Sequence, residues 1–129
     1  MYMYKREAIL DSRNRSVQAA MGFVFEKIPR DMDAIVFSIN RRIRFLKLEK
    51  GFSHEDGLIK LKFAIGWIGK YEKGDVQHSV KAVYAKDSEN GEIGLQVIMD
   101  VTTELLPLIE GELDHTLKSL HFVPEESKK

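Results

Sequence analysis

Cysteine is absent from the 129 residues, so the chain can form no disulfide, offer no thiolate nucleophile and hold no iron–sulfur cluster or cysteine-ligated zinc. Net charge is absent too. The 20 lysines and arginines balance 20 aspartates and glutamates, which removes the broad positive field of a nucleic-acid binder but leaves room for a local basic patch. No run approaches the roughly 18 apolar residues of a membrane-spanning helix. The start, Met1-Tyr2-Met3-Tyr4-Lys5-Arg6, turns charged before a signal-peptide core develops, so a cytoplasmic protein with no membrane partner is expected. Prolines are few and scattered (Pro29, Pro107, Pro124), and there is no repeat or low-complexity tract. What is present, 43% hydrophobic and 31% charged residues, suits a single domain over 1–129, frayed at 124–129.

The hydrophobic periods outline an α+β fold. Val17, Ala20, Met21, Val24, Phe25 and Ile28 recur at spacings of three and four and predict a helix that Pro29 stops. Residues 34–50 fit two periods. As a strand, Ile35, Phe37, Ile39, Ile43 and Phe45 share a face; as a helix, Ile35, Val36, Ile39, Ile43 and Leu46 do, with Asp31 and Asp33 before them and Gly51 after. The density of β-branched and aromatic side chains favours the strand. Between Gly57 and Glu72, Ile59, Leu61, Phe63, Ile65 and Trp67 alternate with Lys60 and Lys62, the signature of a half-buried strand. Gly74-Asp75 and Asn90-Gly91 then separate two further alternating runs, Val76–Lys86 and Ile93–Val101, and predict antiparallel hairpins. Leu106, Ile109, Leu113, Leu117 and Leu120 form the apolar stripe of a last helix, from about Thr102 to Phe122. The expected architecture is an antiparallel sheet of about four strands with helices packed on one face.

Charge is neutral in sum but not along the chain. Residues 1–86 carry 17 basic and 10 acidic side chains, residues 87–126 one basic and 10 acidic. The acidic last helix is therefore expected to lie against basic strands, of its own fold or of a sister subunit.

Candidate chemistry is sparse. His54-Glu55-Asp56 are consecutive, and His115 and His121 sit on different faces of a helix, so neither arrangement is a metal site, and no cofactor is implied. No serine lies in a nucleophile elbow, so no catalytic residue is assigned. His78, Tyr84 and Asp100 are candidate polar contacts of a small-molecule site, or of a minor enzyme, with its pocket between sheet and helix. Arg41, Arg42 and Arg44, with Lys60 and Lys62 on a neighbouring strand, would make a basic face able to hold phosphates, although charge balance favours a solvated face over nucleic acid.

Apolar excess is the stronger signal. Val36, Leu46, Leu48, Ile68, Val83 and Ile98 would face away from the helices, and such a patch on a small protein marks an interface. Phe45, Leu46, Leu48, Trp67 and Ile68 are accordingly the candidates for binding a polypeptide or a second copy of the chain. The run Thr103-Glu104-Leu105-Leu106-Pro107-Leu108-Ile109-Glu110-Gly111-Glu112-Leu113, following an antiparallel sheet, resembles the SecB-like export-chaperone family. There a short apolar-apolar-Pro motif opens the long helix behind a four-stranded sheet. The resemblance implies a non-enzymatic homo-oligomer that holds unfolded polypeptides, and it carries over no catalytic residue. A non-enzymatic, self-associating polypeptide binder is thus the leading expectation, whether its partner is an unfolded or a dedicated protein.

Overall fold

The computed structural model describes residues 2–57, 59–120 and 122. In chain order they form β1 (Tyr2–Lys5), β2 (Ile9–Leu10), β3 (Ser16–Val17), β4 (Ala20–Lys27), α1 (Ala34–Arg41), β5 (Lys47–Ser53), a 3₁₀ turn, β6 (Ala64–Lys73), β7 (Val76–Lys86), β8 (Ile93–Thr102) and α2 (Leu106–Ser119). Six strands make one antiparallel sheet in the order β1-β4-β8-β7-β6-β5, and β2 and β3 pair separately. The fold is α+β, as expected. Its sheet is larger than the expected four strands because β1, β4 and β5 join the β6-β7-β8 meander.

The two predicted hairpins are present. Gly74, at φ +65°, turns β6 into β7, and the 87–92 loop turns β7 into β8 with Val83 opposite Val97. Gly74 adopts the left-handed conformation that only glycine takes without strain. Along β8, Leu95, Val97, Met99 and Val101 are all buried, with Met21 opposite Met99 on β4. Met21, Leu95, Val97 and Met99 meet Leu117 of α2 in the larger core, and Val101 joins Ala19, Leu105 and Ile109 in a smaller one.

The helices lie on opposite faces of the sheet, not on one. The core under α2 holds Met21, Val83, Val97, Met99 and Leu117. The core under α1 holds Ile28, Phe37, Ala82 and Tyr84, which stand on the other side of the same strands. Phe37 meets the Tyr84 ring edge-on at 5.9 Å. It also lies over Gly94 of β8, where an added Cβ would come within 2.8 Å of its ring. On the α2 side, Phe52 of β5 covers Gly66 of β6 in the same way, at 2.1 Å.

Coverage of both faces explains the two misread segments. The segment predicted as a helix ending at Pro29 holds strand β4. Met21 and Phe23 face α2, while Ala20 and Val24, opposite Asp100 and Gln96, face the other way. A strand apolar on both faces loses its alternation and mimics a helical stripe. Residues 34–50 divide rather than choose. They hold α1, capped where Asp33 Oδ1 accepts from the Val36 N–H at 2.8 Å, and then the start of β5. The 59–67 row is also split. Ile59 and Leu61 enter the α2-side core from an irregular segment, β6 begins at Ala64, and Ile65 and Trp67 face α1.

Candidate functional site

α2 packs chiefly on β8, and so leaves the flank of the sheet beside it open. Tyr4 of β1 stands opposite Met21 of β4, and both side chains project towards the α2 side. With Ala19 and Phe23 they face Leu113, His115 and Thr116 of α2 across an open groove of about 790 Å³. Apolar surface continues from the groove along β4 and β8, where Phe25 is 54% and Ile93 42% exposed. β1 is the sheet's edge, and its outer backbone row has no strand partner among the described residues. Met3 and Tyr4 on it are 56% and 63% exposed.

One polar contact spans the groove's rim. Arg6, just past β1, donates from Nε to Glu112 Oε2 at 2.7 Å and from Nη2 to Oε1 at 3.2 Å. This two-point bond holds the Glu112 carboxyl below its ordinary pKa and raises that of the guanidinium. Lys81 of β7 reaches α2 from below and bonds Asp114 Oδ1 at 2.7 Å, with Glu110 at 3.9 Å. The acidic helix thus does rest on basic groups of its own fold.

A second cluster lies on the α1 side of the sheet, beyond the helix. Asp100 accepts a hydrogen bond from the Tyr71 hydroxyl, and its other oxygen lies 2.8 Å from His78 Nδ1. The Tyr71 and His78 rings stack at 4.7 Å, and Phe45 meets Tyr71 edge-on at 5.2 Å. Burial, and then donation to Asp100, push the Tyr71 phenol well above its usual range, so it stays protonated. A carboxylate orienting an imidazole is half of a catalytic arrangement. Ser79, next to His78, projects to the other face and meets Thr103 Oγ1 at 2.9 Å.

The structure distributes the sequence candidates widely. Of the pocket trio, His78 and Asp100 touch, whereas Tyr84 is fully buried beneath α1. Trp67 and Ile68, neighbours on β6, face opposite sides: Trp67 donates from Nε1 to Ser38 Oγ at 3.1 Å under α1, and Ile68 packs on the α2-side core. Leu46 and Leu48 are half-buried near Gly69, and Phe45 is 69% exposed. The expected row from Val36 to Ile98 is therefore not one surface, since Val83 is fully buried on the α2 side and Ile98 lies on the other. The basic residues share no strand face either. Arg41 ends α1 and bonds Glu26 at 2.6 Å, Arg42 and Arg44 lie in the turn that follows, and Lys60 and Lys62 lie in the irregular segment before β6. His121 and the 124–129 tail lie outside the described residues. Among the described residues no three His, Asp or Glu side chains converge as metal ligands, and no helix is long and apolar enough to cross a membrane. Sequence reasoning missed the groove residues Tyr4, Met21 and Phe23; the alternation of Met21, Phe23 and Phe25 was their available signal.

No known family model matches the chain, and no curated protein matches it. A solved structure does. A Pseudomonas aeruginosa protein of unknown function, PA94, described as a candidate regulator, superposes with a TM-score of 0.59 at 13% identity, over 95% of this chain and 83% of that one. The likeness is one of fold.

Proposed function

We propose that this protein is a non-enzymatic, self-associating polypeptide-binding protein that takes an extended apolar segment into the groove between β1–β4 and α2. The observation that carries the reading is the position of that groove beside an edge strand with no outer partner. An added strand finds backbone donors and acceptors along β1, and its alternate side chains enter the apolar groove. This is the holding activity that the resemblance of residues 103–113 to the SecB-like family implies. It relocates the binding surface from Trp67 and Ile68 to Tyr4, Met21, Phe23 and Phe25. A small apolar ligand is the second reading, because about 790 Å³ lies within the usual range of ligand pockets.

The test is fluorescence anisotropy of a labelled extended peptide with alternating leucines, beside light scattering of a denatured client. The unmodified chain should bind the peptide and suppress aggregation at stoichiometric amounts. The Tyr4→Lys/Phe25→Lys variant alters two exposed side chains, so it should fold normally while binding about tenfold or more weakly. Absence of both binding and suppression in the unmodified chain overturns the proposal. A thermal-shift hit from a small apolar compound alone would favour the second reading.

A further inference from the structure

We infer that the outward face of α1 is the contact between two copies of this chain, paired about a two-fold axis with their helices antiparallel. α1 buries Ala34, Phe37 and Ser38 against the sheet and turns Ile35, Val36 and Ile39 outward, 55%, 43% and 45% exposed. Positions i, i+1 and i+4 form one apolar stripe on a helix of this length. A helix that is apolar on both sides is buried on both sides. One side of α1 is accounted for by the sheet; the other stays about half exposed among the described residues.

Charge along α1 identifies the occupant. Asp31 and Asp33 precede the helix, and Arg41, Arg42 and Arg44 end and follow it. Asp33 is engaged as the helix cap and Arg41 with Glu26. Asp31 and Arg44 are both exposed, and neither has an ion-pair partner among the described residues. In chain order the segment therefore reads acid, apolar stripe, base. Turned end over end, that order becomes its own complement. Antiparallel pairing sets Ile35, Val36 and Ile39 against their copies, and sets each Asp31 against the Arg44 of the second copy. Helix dipoles oppose in the same arrangement. A two-fold contact requires this self-complementarity, whereas an unrelated partner would not.

The stripe is small beside the roughly 800 Å² per partner of a standard interface, so the expected dimer is micromolar and reversible. The groove lies on the opposite side of the sheet and reads out separately: peptide binding tests the groove, mass tests α1.

Sedimentation velocity over a concentration series up to about 100 µM decides the matter. The unmodified chain should pass from monomer to dimer, and I39E should remain monomeric with an unchanged circular dichroism spectrum. D31R and R44D should each weaken dimerisation roughly five- to tenfold, because symmetry removes both ion pairs at once. The D31R/R44D double variant should restore it, since the swapped charges again face each other. A monomer throughout the series, single variants that dimerise normally, or a double variant no better than the singles would each overturn the inference.

Discussion

Two tyrosines on the α1 side of the sheet illustrate opposite fates of a buried hydroxyl. The Tyr84 ring fills the core beneath Phe37, but its oxygen is buried without a hydrogen-bond partner among the described residues. Burial raises its phenol pKa, so the group is neutral and simply unsatisfied. An orphan of this kind costs about 1–3 kcal/mol. Tyr71, further along β6 than Trp67, donates to Asp100 and stacks on His78. The two Tyr→Phe substitutions should therefore differ in sign. Tyr84→Phe should stabilise the chain by about 1 kcal/mol and Tyr71→Phe should destabilise it by a similar amount. Urea denaturation of both variants checks this, and equal shifts in the same direction would contradict it.

At the scale of elements, the Lys81–Asp114 bond fastens α2 to the sheet. The Lys81 side chain is only 10% exposed, so its ammonium depends on the two carboxylates above it. Removing the acid strands a buried charge; replacing the base by an apolar chain of equal length does not. Asp114→Ala should cost about 2 kcal/mol, less than for a fully buried pair because Glu110 remains at 3.9 Å, and Lys81→Met should be near neutral. Thermal denaturation of the two variants would show the asymmetry, and equal losses would sink it. The same elements show what can be read from a sequence. β7, β8 and α2 announce themselves because turn residues bracket them and Leu106, Ile109, Leu113 and Leu117 keep a helical period. β4 does not, because Val24 and Phe23 are both apolar where both faces of the sheet are covered. α1 does not, because eight residues are too few for its period to prevail over the β-branched content of Ile35, Val36 and Ile39. The groove is harder still: it forms only when β1 pairs β4 and α2 folds back from more than 90 residues away, bringing Tyr4 to Leu113. Local periodicity carries no trace of such pairings. The His78–Asp100 contact was closer to legible, since both residues stand on neighbouring strands of the predicted hairpin.

For the molecule as a whole, carboxylates fasten the N-terminal segment and the loops to distant parts of the fold. Glu112 holds Arg6, Glu104 holds Ser12 through its hydroxyl and N–H, Asp75 holds Arg13, and Glu92 holds Arg30. Within the segment, Asp11 accepts from the Arg15 and Arg13 N–H groups. Each of these five acids lies below its ordinary pKa, chiefly because of the hydrogen bonds just named. A carboxyl with a lowered folded pKa stabilises the fold above its unfolded value and loses that contribution as pH falls through the folded one. The window therefore opens below the ordinary values of 3.8 for aspartate and 4.5 for glutamate. Three of the five bonds tie residues 6–13 to the β6–β7 turn and to α2 or its lead-in, so acid should release β1–β3 before the β6-β7-β8 meander unfolds. Because Arg6 and Glu112 also span the groove, peptide binding should weaken over the same range. Hydrogen exchange at pH 7 and at about pH 3.5 should show early loss of protection in residues 2–17 while the β7–β8 amides stay protected. Uniform protection at both pH values, or simultaneous loss throughout the sheet, would show that these carboxylates do not hold the N-terminal segment in place.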